Sequence, residues 1–128
     1  MKHQKIIKKQ EGFTLIEIIA VLVIMSVLTT IFIQKYTDIG TASIHRAIDA
    51  GIVELNSREN LAWTKKIISN SGYDSDQNIV NALNYNLGDG FTWSVAPSQT
   101  GGAVEFQGLS APLTRTESDI SKPAVWSL

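Results

Sequence analysis

The run from Phe13 to Ile33 constrains this chain most, because its 21 residues contain a single charged side chain, Glu17. As a helix rising about 1.5 Å per residue, the run spans roughly 31 Å, close to the thickness of a bilayer core. An ionised carboxylate at the centre of such a segment costs about 2.5 to 3.5 kcal/mol, and less near its end. The run therefore predicts a membrane-spanning helix in which something offsets the cost of Glu17.

Charge is distributed unevenly along the 128 residues. The first twelve contain four lysines and one glutamate, whereas the residues from Phe13 onward contain 7 basic and 11 acidic side chains. The positive-inside rule predicts that the basic segment stays in the cytoplasm and that the chain after Ile33 is exported. No basic face studded with aromatic residues is recognisable, so we expect no nucleic-acid partner. The absence of cysteine excludes a disulfide, a thiolate nucleophile and a cysteine-ligated metal.

Two simpler interpretations of the first 33 residues fit less well. A secretory signal peptide has an apolar run of about 7 to 15 residues and a small-x-small cleavage site, but this run is longer and bulky residues follow it. A plain signal anchor gives no reason for an acid at Glu17 or for Gly12 directly before Phe13. The N-terminal pattern therefore indicates a more specialised segment.

The pattern after the apolar run predicts that its helix continues for about 50 residues in all. No proline occurs between Phe13 and Ser69, and apolar residues recur near helical spacing after Tyr36. We expect the resulting stripe to pack on a small domain; it consists of Ile44, Ile48, Ile52, Leu55, Leu61, Ala62 and Ile68. The segment 56–60 is the weakest part and a candidate break. Gly72 is the expected C-terminal cap.

The remaining residues predict an α+β domain. Ser75 or Asp76 can cap a second helix that carries Ile79, Val80, Leu83 and Leu87 and ends at the glycines 88 and 90. Four strands are predicted over residues 91–96, 103–107, 113–116 and 124–128, with residues 97–102, including Gly101 and Gly102, as a hairpin turn. The small antiparallel sheet would pack on the long helix. Its core candidates are Phe91, Trp93, Val95, Val104, Phe106 and Trp126, with Trp63 from the helix.

Catalytic chemistry is poorly supported. His3 and His45 have no acid, serine or second histidine at a spacing that makes a triad or a metal site, and we expect His45 to lie at the solvated side of the helix. The glycine pair 101–102 is not a phosphate-binding loop. We therefore predict no catalytic residue, no metal, no cofactor and no enzymatic activity.

The block from Gly12 to Glu17, Gly-Phe-Thr-Leu-Ile-Glu, follows a lysine-rich leader and precedes an apolar helix that runs to Tyr36. It resembles the processing site of type IV prepilins and of type II secretion pseudopilins. The resemblance implies that a prepilin peptidase cuts between Gly12 and Phe13 and methylates the new amine of Phe13, and that Glu17 assists assembly. It also implies a pilin-like fold, divided into a leader (1–12), a transmembrane half-helix (13–35) and a periplasmic or extracellular domain (36–128).

The implied function is that of a structural subunit in a type IV filament, anchored in the inner membrane before assembly. The implied partners are other copies of the chain or related pilins, prepilin peptidase, an inner-membrane assembly platform and lipid. Inside an apolar bundle, the amine of Phe13 and the Glu17 carboxylate of a neighbour would offset each other's burial cost. The alternative is a membrane-anchored periplasmic binding domain or small enzyme. Pilus or pseudopilus, and major or minor subunit, stay open.

Two departures from the family pattern limit what carries over, and one family property concerns metal binding. Many members have a proline where this chain has Gln34, so the sequence does not predict the helical kink associated with that proline. Many type IV pilins close their C-terminal region with a disulfide, which this chain lacks. Major pseudopilins bind calcium, and four aspartates could in principle gather around that ion. They are Asp74, Asp76, Asp89 and Asp119.

Overall fold

The computed structural model describes residues 12–128, which form two helices and one sheet. In chain order the elements are α1 (Leu15–Ile67), α2 (Asp76–Ala82), β1 (Phe91–Val95), β2 (Gly101–Phe106), β3 (Leu109–Thr116) and β4 (Val125–Ser127). Two compact units are present, one ending at Ile39 and the other extending from Gly40 to Leu128. The α+β prediction is confirmed: the second unit packs the C-terminal part of α1 on an antiparallel sheet. The expected leader lies, except for Gly12, outside the described residues.

The N-terminal part of α1 is apolar on every side. All side chains from Leu15 to Ile33 are exposed, and by length and composition the helix can cross a membrane. Its hydroxyl groups bond to their own helix: Ser26 to the Val23 carbonyl at 2.7 Å and Thr29 to the Met25 carbonyl at 2.7 Å. Polar groups satisfied within one helix suit a lipid environment, because hydrocarbon offers them no partner.

Helix α1 is continuous over 53 residues, so it contains no break at Gln34 or in the segment 56–60. The predicted break was wrong because Asn56 is held by tertiary contacts: its amide bonds both backbone groups of Trp126, at 2.7 and 3.0 Å. The predicted C-cap was also wrong. The helix ends at Ile67, and beyond its end the Ser69 hydroxyl donates a hydrogen bond to the Lys66 carbonyl at 2.7 Å. Gly72 (φ +68°) lies in a later turn.

The sheet has the order β1-β2-β3-β4 and is antiparallel throughout. The four predicted strands are present with shifted ends. Gly101 and Gly102 were wrongly assigned to the turn; they begin β2 and pair with Thr114 and Leu113. Gly101 has a φ of +141°, and a Cβ there would overlap the Leu113 carbonyl. Close approach of strands, rather than a turn, therefore requires this glycine.

The core lies between α1 and the sheet. Its buried members are Ile48, Leu55, Val104, Ala111, Leu113 and Trp126, and Phe91, Trp93 and Phe106 pack partly buried against them. Val95 is 58% exposed, contrary to prediction, because the register shifts between Trp93 and Val95. Leu61 and Ile68 were also wrongly assigned to the buried stripe, being 55% and 75% exposed. Trp63 lies outside this core cluster and donates from its indole nitrogen to the Asp119 carbonyl at 2.8 Å.

Helix α2 is shorter than predicted. It ends at Ala82, and Leu83 is extended (φ −81°, ψ 141°), so Leu87 reaches the core from a non-helical segment. Ser75 is the N-cap residue, but its side chain makes no capping hydrogen bond. The carboxylate of Asp76 does not cap the helix either. It points into the domain towards Arg115.

Candidate functional site

The start of α1 is fixed by two reciprocal hydrogen bonds. The backbone nitrogen of Thr14 donates to Glu17 Oε2 at 2.8 Å, and the backbone nitrogen of Glu17 lies 3.3 Å from Thr14 Oγ1. Thr14 is thus the N-cap and Glu17 the third helical residue of a capping box, in which each side chain satisfies a backbone donor left free by the helix end. The carboxylate also lies at the positive end of the helix dipole.

This arrangement gives Glu17 a partner within its own chain. The cost of a carboxylate in an apolar segment is lowered by the hydrogen bond from Thr14 and by the position at the helix start. Sequence reasoning missed the role of Thr14, although Thr-x-x-Glu before an apolar run is itself a capping-box signature. The signal was present in the sequence.

Gly12 and Phe13 lie immediately before this cap, outside the helix. Phe13 is 84% exposed, and within residues 12–128 no atom other than those of the adjacent residues lies within 4 Å of the position that a Cβ at Gly12 would occupy. The peptide bond between them is therefore on the open surface of the chain. The structure brings Gly12, Phe13 and Glu17 together around one hollow at the helix start, which Thr14 also lines.

A second polar cluster is buried in the unit that starts at Gly40. Arg115 in β3 donates to Glu59 of α1 at 2.6 and 3.1 Å, and to Asp76 of α2 at 2.7 and 2.9 Å. The side chains of Arg115 and Glu59 are fully buried, and that of Asp76 is 6% exposed. Further donors join the cluster: Trp126 Nε1 donates to Glu59 at 2.9 Å, and the backbone nitrogen and hydroxyl of Ser118 donate to Asp76 at 2.8 and 2.5 Å.

The cluster is electrostatically self-contained. Burial alone would raise the pKa of Asp76, but hydrogen bonds from Arg115 and Ser118 outweigh burial and lower this pKa to about 2. Burial would lower the pKa of Arg115, yet its bonds to Asp76 and Glu59 raise it above its ordinary value. Burial also raises the pKa of the nearby Tyr85 to about 12. Each charge has bonded partners inside the protein, so the cluster holds three elements together.

Three of the four aspartates considered for calcium, Asp74, Asp76 and Asp119, are bonded to separate groups of the chain. Asp76 belongs to the buried cluster, and Asp74 accepts from the Ser75 backbone nitrogen at 2.7 Å, which lowers its pKa. Asp119 accepts from Ser121, and these bonds lower its pKa as well. Within residues 12–128, no group of three or more histidines or acids could hold a metal ion. His45 is exposed, as predicted.

Together, the fold and the helix start define a class: an α+β protein of pilin-like arrangement, with an N-terminal helix apolar enough to enter a membrane. Residues 7–33 match the prokaryotic N-terminal methylation motif, which is the motif of type IV prepilins and pseudopilins. The motif supports a pilin-like precursor that prepilin peptidase processes, and this class is structural rather than catalytic. No curated protein and no solved structure matches the chain.

Proposed function

We propose that this chain is a structural subunit of a type IV filament, either a pilus or a type II secretion pseudopilus. One observation carries the proposal: an apolar half-helix with exposed side chains starts at a capping box of Thr14 and Glu17, directly after the exposed Gly12-Phe13 bond, within the methylation motif. Exposed apolar surface of this extent requires cover from lipid or from other protein. A filament of copies provides the second kind of cover after the bilayer has provided the first.

Processing creates the assembly site. Prepilin peptidase cuts between Gly12 and Phe13 on the cytoplasmic side and methylates the new amine of Phe13. The half-helix 13–35 anchors the subunit in the inner membrane, and the domain 36–128 faces the periplasm until an assembly platform extracts the subunit. The filament then lies in the periplasm or outside the cell.

Glu17 changes partner during this sequence. In the single chain its carboxylate accepts from the backbone nitrogen of Thr14 at 2.8 Å. In the filament it pairs with the charged amine of Phe13 from a neighbouring copy. The exchange keeps both charges bonded, and a buried ion pair contributes stability only when its hydrogen bonds are complete. Apolar burial against copies replaces burial in lipid, so the step is nearly neutral per unit area and reversible.

Substitutions at Glu17 test the proposal by separating charge from helix capping. Glu17→Gln retains the capping acceptor, since glutamine also serves in a capping box, but it removes the charge. Filament yield should fall by more than about tenfold in both Glu17→Gln and Glu17→Leu, because breaking a buried ion pair costs about 3 to 5 kcal/mol. Electron microscopy of sheared fractions measures filaments, and immunoblotting measures membrane monomer.

The control is Ile18→Leu at the adjacent exposed position, which should leave filament yield unchanged. If Glu17→Leu forms filaments in wild-type number with normal monomer levels, the carboxylate is dispensable and the assembly role of Glu17 is wrong. If the wild-type chain forms no filaments under any condition while its domain is exported, the alternative of an anchored binding domain or small enzyme replaces the proposal.

A further inference from the structure

A groove with an apolar floor and basic rim lies between the end of α1 and the segment after α2. We call it the basic groove; it is lined by Arg58, Leu61, Ala62, Lys65 and Lys66 of α1 and by Ala82, Leu83 and Asn84 opposite. Leu61 is 55% exposed within it. The volume is about 340 Å³, at the lower end of the range of about 300 to 1,000 Å³ for ligand pockets. The groove therefore suits one protruding side chain with acidic neighbours.

Arg58 connects the two sides of the basic groove, and lysines add charge to its rim. The Arg58 guanidinium donates hydrogen bonds to Glu54 at 2.7 Å and to the carbonyls of Asn84 and Asn86 at 2.7 and 2.8 Å. Lys66 lies 3.6 Å from Asp74. Lys65 is exposed and has no acid paired with it among these contacts, so its positive charge is not balanced by Glu54 or Asp74. The rim thus has a net charge of +1 from its own side chains and the acids paired with them.

The same unit carries a matching protrusion, which we call the Ile120 turn (residues 119–122). Its ends are joined by a bridge between Asp119 and Lys122, and the Asp119 carboxylate accepts from the backbone nitrogens of Ser121 at 2.7 Å and Lys122 at 3.0 Å. Ile120 is 72% exposed, and the exposed Glu117 precedes the turn. A turn already held by such bonds loses little conformational entropy when it docks.

The floor of the groove at Leu61 and the Ile120 turn lie on different sides of α1, at about the same level along the helix. The Ile120 turn is fixed beside Trp63 by the 2.8 Å bond from its indole nitrogen to the Asp119 carbonyl. At about 100° per residue, Leu61 and Lys65 each point roughly 160° away from Trp63 around the helix. A chain therefore cannot place its own turn in its own groove, whereas a second copy beside it can.

We propose that the Ile120 turn of one copy docks in the basic groove of the next, with Ile120 against Leu61 and Glu117 facing Lys65. The inference rests on the proposed function and specifies which surfaces of the copies meet. Because the two surfaces differ, the contact is heterologous and can repeat without closing, as a helical filament requires. The contact is small, so it forms where the N-terminal helices already hold the copies at high effective concentration.

Cysteine cross-linking in the full-length chain tests the contact, because the natural sequence contains no cysteine. A chain with Leu61→Cys and a chain with Ile120→Cys are co-expressed and treated with a short bismaleimide on membranes and sheared filaments. We expect a dimer band from the mixture and none from either chain alone. Both substitutions in one chain should give a ladder of multimers.

The matched control pairs Ile120→Cys with Val53→Cys. Val53 is 68% exposed on the same helix but lies about 12 Å from Leu61 along the axis, outside the groove. A second variant set tests the charges: Lys65→Glu or Glu117→Lys should lower cross-linking roughly two- to fivefold, as expected for an exposed pair, and the combined charge swap should restore it.

The outcomes separate this contact from the filament proposal. A ladder on membranes without any filament supports the contact while the filament function fails. Filaments without a ladder leave the function standing and overturn the contact. Equal cross-linking from the Val53 control, a dimer from Ile120→Cys alone, or a product only with a protein of another mass also overturns it.

Discussion

At the residue scale, Arg115 shows how a charge can be accommodated inside a domain of about 90 residues. Its guanidinium bonds two carboxylates, and in residues 12–128 no buried side-chain nitrogen or oxygen lacks a hydrogen-bond partner. Removing one member of such a cluster leaves a buried charge without its partner, which costs about 3 to 5 kcal/mol. The cluster therefore ties α1, α2 and β3 together.

Asp76 should make the stability of the domain acid-sensitive. The pKa of Asp76 is about 2 in the folded chain and ordinarily 3.8, so its contribution is complete above about pH 5 and is lost as the pH falls towards 2. The loss should amount to about 2 kcal/mol. Thermal unfolding of the detergent-solubilised chain between pH 5 and 2, compared with Asp76→Asn, measures it. Asp89→Asn at an exposed aspartate is the control. Equal pH dependence in wild type and Asp76→Asn would contradict the prediction.

Gly12 is the residue on which cleavage by prepilin peptidase is expected to depend. Because a Cβ at Gly12 would meet no other part of the described chain within 4 Å, apart from its neighbours in sequence, we expect substitution there to leave the described fold undisturbed. Any processing defect then reports the fit of the side chain in the peptidase cleft. We expect Gly12→Ala to be processed poorly and Gly12→Leu not at all, as measured by mobility on a gel.

Mass spectrometry of the wild-type chain should find a methylated Phe13 at the N-terminus. An intact Met1 or a cut after Ile33 would contradict the proposal.

At the scale of elements, the short strand β4 depends on α1 at its open edge. The Asn56 amide accepts from the Trp126 nitrogen at 2.7 Å and donates to the Trp126 carbonyl at 3.0 Å, as a neighbouring strand would. Trp126 itself is 1% exposed. The helix thus satisfies an edge that would otherwise be open to pairing with another chain.

Asn56→Ala should lower the free energy of unfolding by about 1 to 3 kcal/mol, because two partly buried backbone groups lose their partner. Ser57→Ala, at the next and exposed position of α1, should change it little. Near-ultraviolet circular dichroism follows the surroundings of Trp126 during urea unfolding. An unchanged midpoint in Asn56→Ala would show that the edge bonds do not contribute.

At the scale of the whole molecule, the unit from Gly40 to Leu128 contains its own core. We expect the piece from Tyr36 to Leu128, freed of the apolar half-helix, to be a soluble, folded domain. Its circular dichroism should show a cooperative thermal transition, and a chelator should shift the melting temperature little if the aspartates serve only the bonds described above. A molten signature would contradict the core assignment, and a large calcium-dependent shift would restore the calcium site.

The long helix, the strand count and the processing block were predictable because each depends on neighbours in the chain. Hydrophobic runs, helical periodicity and the block from Gly12 to Glu17 are local patterns, and a local pattern has the same meaning wherever the segment lies. Even the Thr14 cap was open to prediction, since its two members are three residues apart.

The buried polar contacts were not predictable, because their partners are far apart in sequence. Glu59 and Arg115 are separated by 56 residues, and Asn56 and Trp126 by 70. From the sequence alone, the segment 56–60 is predicted to be the weakest part of the helix, and Asp76 is one of two candidate caps. Packing of α1 on the sheet turned both into internal contacts, because burial leaves a polar side chain stable only where another element supplies its hydrogen bonds.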